Sequence, residues 1–126
     1  MNKGLSMIIK AERMRAELDS DNDLWLIDFR DEDQGLRGRI EIPSTIVSME
    51  DVKNFEIEII PRDSVKKPPD YSGAMIAYNA TNFRTKPLGT EKVYSFSAGG
   101  LMLRLFSSKT IKGFKTVLKG FLIIVR

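Results

Sequence analysis

Apolar and polar residues alternate along most of the chain. "LRGRIEI" (36–42) sets Leu36, Gly38, Ile40 and Ile42 against Arg37, Arg39 and Glu41, and "FEIEII" (55–60) sets Phe55, Ile57 and Ile59 against Glu56 and Glu58. "LWLIDFR" (24–30), "AMIAYNATNF" (74–83), "KVYSFS" (92–97), "LMLRLFS" (101–107) and "GFLIIVR" (120–126) are further short runs rich in aromatic and β-branched residues. A repeat of two bounded by turn residues predicts strands, and so many short strands in one chain predict a barrel or a sandwich. "GFLIIV" is apolar on both faces, which suits a strand with core on one side and a partner or loop on the other.

Two segments depart from this pattern. In "MIIKAERMRAEL" (7–18) Met7, Ala11, Met14 and Leu18 recur at helical spacing, in a helix-favouring composition. In "SMEDVK", Ser48 with Asp51 at the capping-box position predicts a single helical turn between two strands. "PRDSVKKPPDYSG" (61–73), with three prolines, predicts a long surface loop within one domain spanning 1–126. No internal repeat is legible. Gly99-Gly100, directly before the strongest alternating run, predicts a bend or bulge, or a place where another backbone approaches closely.

The chain has 126 residues with no cysteine and no histidine. That removes disulfides, thiolate chemistry, the commonest general base and the commonest metal ligand together. No signal peptide and no membrane-length apolar run is visible, so the expectation is a cytoplasmic protein with no membrane partner. The net charge of +3 is unevenly spread: residues 84–126 hold nine Lys/Arg against Glu91 alone, giving +8, and residues 1–83 are −5. A basic third suits internal complementarity, contact with nucleic acid, or docking on a charge-matched partner.

Candidate chemistry is sparse. "DSDND" places Asp19, Asp21 and Asp23 at the first positions of a calcium loop, but Leu24 stands where glycine is required and Arg30 where a bidentate Glu is needed. Asp28, Asp31, Glu32 and Asp33 read as an acidic hairpin tip. There is no phosphate-binding loop and no dinucleotide fingerprint, and Ser97 and Thr110 have no histidine to activate them. No catalytic residue, cofactor site or metal site is expected, and an enzyme built on carboxylates and lysines alone is the weakest reading. Tyr71, Tyr78, Phe83, Tyr94, Phe96, Phe106, Phe114 and Phe121 lie among Lys and Arg, the composition of a base-stacking OB-fold. The same aromatics also serve as barrel core.

The C-terminal third, "YSFSAGGLMLRLFSSKTIKGFKTVLKGFLIIVR", resembles the end of the eighth common subunit of eukaryotic nuclear RNA polymerases. The shared pattern is a strand, then Gly99-Gly100, Leu101, Met102, Leu103, Arg104 and Leu105, a polar loop, Gly113-Phe114, and a last apolar strand over 121–126. "GRIEIPSTIVSMEDVKNFEIEII" (38–60) is similar to the family in register, and the chain looks like the archaeal counterpart, a small subunit of the archaeal DNA-directed RNA polymerase. The resemblance implies an all-β, OB-fold-like barrel of about eight short antiparallel strands, in which 7–18 is a strand paired with 24–30. It implies a non-catalytic subunit of a DNA-directed RNA polymerase, docked on the largest subunit, contacting nucleic acid weakly or indirectly and forming no homo-oligomer. The candidate interface is Gly99, Gly100, Met102, Arg104, Phe106 and Phe114; an Arg between Met and Phe on one strand face has the composition of a docking anchor. The rival is a free-standing OB-fold that binds single-stranded nucleic acid.

Overall fold

The computed structural model describes residues 6–114 and 118–126. Eight strands alternate inward and outward side chains: β1 (Met7–Asp19), β2 (Leu24–Asp31), β3 (Leu36–Pro43), β4 (Asn54–Pro61), β5 (Ile76–Leu88), β6 (Glu91–Ala98), β7 (Leu101–Ser107) and β8 (Lys119–Val125). They close into an antiparallel barrel in the order β1-β2-β3-β7-β6-β5-β8-β4, with β4 pairing back onto β1. The fold is thus a small all-β barrel, one of the two architectures that the alternation predicts and the one that the resemblance implies. Only two one-turn 3-10 segments, Glu32–Gln34 and Arg62–Ser64, interrupt it among the described residues.

The first strand is a strand despite its helical spacing, and a bulge explains the disguise. Ile9 and Ala11 point into the core, Met14 bulges between Arg13 and Arg15, and the inward phase then moves to Ala16. One extra residue shifts an alternation by one step, so apolar residues before and after the bulge fall at helix-like intervals. The first half of β1 pairs with β4 and the second half with β2, so the bulge sits where the strand passes from one neighbour to the other. β5 repeats this: Phe83 bulges between Asn82 and Arg84, the residues before it pair with β8, Thr81 and Asn82 pair with both neighbours, and those after the bulge pair with β6 alone. β5 runs on to Leu88, past the predicted end at 83. Pro87 is tolerated there because only β6 pairs with that half of the strand.

The parallel between β1 and β5 extends to the whole barrel. β1–β4 form a Greek key with spatial order 4-1-2-3, and β5–β8 form a second with the same order. The registers correspond pair by pair. Ala11 faces Phe55 as Ala80 faces Phe121; Arg13 faces Phe29 as Asn82 faces Phe96; Arg15 faces Asp28 as Arg84 faces Ser95. The two units meet along β3–β7 and β4–β8 about an approximate two-fold axis, on which Arg39 faces its own counterpart Arg104. The structure therefore holds an internal repeat that the sequence does not display.

Each unit also plugs the core in the same way. In the β3–β4 connection Met49 is fully buried, and its carbonyl accepts from Arg13 Nη1 at 3.0 Å. In the β7–β8 connection Phe114 is buried, and its carbonyl accepts from Asn82 Nδ2 at 2.8 Å. Arg13 and Asn82 are counterparts. Phe114 packs edge-on against Tyr94, Phe96 and Phe121, contacts worth about 0.5–1.5 kcal/mol each beyond burial. The predicted helical turn at 48–53 is instead a β-turn closed by Val52 N–H to the Met49 carbonyl; burying Met49 takes precedence over the Ser48 cap.

The segment 61–73 is a loop after its first turn, as expected. Arg126 ties it down through the carbonyls of Asp70 and Ser72 at 2.7 and 2.8 Å, while its other nitrogen meets Glu58 at 2.6 Å. Phe121–Val125 are all buried. The outer face of β8 at Leu122 borders this loop, so intramolecular cover accounts for the doubly apolar strand.

Candidate partner interface

Gly99 and Gly100 form the two-residue turn of the β6–β7 hairpin, with φ of +57° and +98°. Two consecutive left-handed residues are the signature of the type I′ turn that matches strand twist. A side chain at either position would meet nothing within 4 Å, so turn geometry alone explains both glycines, and the barrel's bulges are at Met14 and Phe83 instead. The close backbone approach falls on Gly38. There a Cβ would lie 2.6 Å from the Phe29 ring and against the Arg104 carbonyl.

The hairpin turn sets the phase of β7. Leu103 and Leu105 enter the core, while Met102, Arg104 and Phe106 face outward. Their surroundings differ. Met102 N–H donates to Glu41 Oε1 at 2.9 Å. The Phe106 ring lies under the Arg37 guanidinium, 4.3 Å from centroid to charge, and Arg37 is held by Glu91 at 2.7 Å. Arg104 is exposed and makes no ion pair or side-chain hydrogen bond among the described residues. Phe114, in contrast, leaves the candidate face: it is 3% exposed and belongs to the core. A Gly-Phe after a polar loop looks surface-exposed in a sequence, because the plug is visible only once the connection folds back over the barrel.

Arg104 is one member of a row that crosses six adjacent strands. Arg15 faces Asp28, Asp28 faces Arg39, Arg39 faces Arg104, Arg104 faces Ser95, and Ser95 faces Arg84. Arg39 binds Asp28 through both ends of its fork, at 2.7 and 3.2 Å. That hydrogen bond raises the Arg39 pKa; burial opposes it, and the charges of Asp28, Glu17 and Glu41 add smaller upward contributions. Arg84 and Lys86, on the outer flank, are exposed and unpaired among the described residues. With Phe83, Leu88 and Phe106 they line a shallow cleft floored by Val93 and Ser95. Sequence reasoning missed Arg84, Ser95 and Arg39 as neighbours of Arg104, because only the strand registers bring them together.

The acidic clusters have structural roles. Asp19 accepts from Asn22 and Asp21 within the β1–β2 turn, and the Asn22 bond lowers its pKa. Asp31 is buried and accepts from Lys10 N–H and from Gln34. No group of three or more acidic residues among the described residues is placed to hold a metal ion. Four of the eight aromatics named above, Tyr94, Phe96, Phe114 and Phe121, are core, while Tyr71 and Phe83 are exposed. No helix of the described residues is long and apolar enough to cross a membrane.

No protein-family model matches the chain, and no curated protein matches it.

Proposed function

We propose that this chain is a non-catalytic assembly subunit of a DNA-directed RNA polymerase, docked on the largest subunit through the outer surface around Arg104. The observation that carries the reading is the Gly-Gly-Leu-Met-Leu-Arg-Leu run. Its resemblance to the polymerase subunit family coincides with a strand that presents an unpaired arginine between a methionine and a phenylalanine. Arg and large apolar side chains are enriched where interfaces form, whereas Lys and Glu are depleted. In this reading the Greek-key barrel is an OB-like scaffold. Transfer of nucleotides from nucleoside triphosphates to RNA, with its Mg²⁺ and carboxylates, belongs to another chain of the complex.

The second reading is a free-standing binder of single-stranded nucleic acid, favoured by the basic third. It fits the aromatics less well. Base stacking needs free ring faces, and here four rings are core and Arg37 covers Phe106. The test is co-purification of the tagged chain from its host. A stoichiometric complex with the largest polymerase chain is expected, and Arg104→Glu should lose that complex while keeping the strand-rich circular dichroism spectrum. Tight, steeply salt-dependent oligonucleotide binding by the isolated chain, with no polymerase recovered, would establish the second reading instead.

A further inference from the structure

The two-fold relation between the units makes each half a control for the other. Around Arg39, Asp28 on the facing strand binds the guanidinium, and the negative charges of Glu17 and Glu41 act on it without contact. The same positions around Arg104 are Ser95, Lys86 and Phe106, by the strand registers that relate β1–β3 to β5–β7. A hydroxyl, a cation and an aromatic ring replace three negative charges. Arg84 keeps its counterpart's charge as well, but Glu17, which meets Arg15 at 3.4 Å, has become Lys86. The row therefore runs Arg-Asp-Arg in one half and Arg-Ser-Arg in the other.

This arrangement has a cost within the isolated chain. Like charges directly opposite on neighbouring strands repel, and Arg39 and Arg104 are such a pair. Asp28 offsets the charge of Arg39, and nothing among the described residues does so for Arg104 and Arg84. These two arginines flank Ser95 from the strands on either side and line one cleft with it, so they bracket the register position that Asp28 occupies in the other unit.

We infer that the slot over Ser95, between Arg84 and Arg104, seats a carboxylate of an acidic segment of a partner protein. The inference rests on the docking reading of this face and supplies its chemistry. A polypeptide carboxylate is favoured over a nucleic-acid phosphate for two reasons. The occupant of the matching slot is itself a carboxylate, taken bidentate by arginine. Beside the cations the cleft also presents apolar side chains, with Phe83 and Leu88 exposed for a neighbouring apolar residue, while the ring of Phe106 is already covered by Arg37.

The experiment follows the arginine Nε–Hε resonances of the full chain by NMR during titration with a blocked Leu-Asp-Phe-Glu peptide, and separately with oligothymidylate. Saturable shifts in the millimolar range are expected at Arg84 and Arg104 but not at Arg39. Ser95→Asp should abolish them by filling the slot from within. Asp28→Ser, which opens the matching slot, should bring Arg39 into the response and keeps the test decisive if the Ser95 variant folds poorly. Peptide shifts that are absent, or that spread equally over Arg39, would overturn the inference. So would oligothymidylate saturating the same resonances at lower concentration than the peptide. Co-purification separates this from the docking reading. A polymerase complex that survives Ser95→Asp in a folded chain overturns the seat alone, whereas a wild-type chain recovered as a lone monomer overturns docking whatever the peptide does.

Discussion

Tyr78 carries a hydroxyl that is buried without a hydrogen-bond partner among the described residues, which costs free energy in the folded state. Tyr78→Phe should therefore be neutral or stabilising by about 1 kcal/mol, read from urea denaturation at neutral pH. Burial first, and the charge of Glu41 second, raise the phenol pKa. The unfolded chain then ionises before the folded one, so stability is full below about pH 10 and falls above it; the Phe variant should lack that alkaline fall. The glycines differ by position. Gly38→Ala meets the Phe29 ring and a backbone carbonyl and should cost about 1–3 kcal/mol by overpacking. Gly100→Ala has open space but a positive φ and should cost about 1 kcal/mol; thermal melts of the two rank them. The sequence marks the glycine pair as special but not Gly38. A turn glycine is visible from its neighbours, whereas Gly38 depends on a strand 66 residues away at Arg104.

At the scale of elements, alternation was enough to find β2, β3, β4, β6, β7 and β8 to within a residue or two. It failed where strands change partners. β1 looks helical because Met14 resets its phase, and the second half of β5 is hidden because Arg84–Leu88 is polar, contains Pro87 and faces solvent. The two connections carry what alternation cannot show, a buried plug at Met49 and another at Phe114. Phe114→Ala should cost about 3–5 kcal/mol and Met49→Ala about 2–5 kcal/mol. Thermal denaturation checks both, and a melting temperature unchanged by Phe114→Ala would return that residue to the outer surface.

At the scale of the whole molecule, two Greek keys share one core and differ outside it. Some inward counterparts keep their type, as in Ala11 and Ala80, Phe29 and Phe96, or Phe55 and Phe121, while others exchange volume, as in Ile27 and Tyr94 or Gly38 and Leu103. Apart from the arginines of the row, most outward counterparts diverge, as in Asp28 and Ser95, Glu17 and Lys86, or Glu41 and Phe106, and the shorter β5–β6 and β6–β7 turns shift the spacing, so no repeat is legible along the chain. The charge asymmetry seen in the composition acquires a location: the carboxylates around Arg39 in the first unit are absent around Arg104 in the second. That difference marks one side of a nearly symmetric barrel, the side assigned here to a polymerase partner. Arg104→Glu should reverse the surface charge there with little effect on stability, within about 0.5 kcal/mol for an exposed, unpaired side chain. The most direct measurement is native mass spectrometry of the tagged chain isolated from its host. A stoichiometric assembly containing the largest polymerase subunit is predicted for the wild type and its loss for Arg104→Glu; a wild-type chain recovered only as a free monomer would contradict the account.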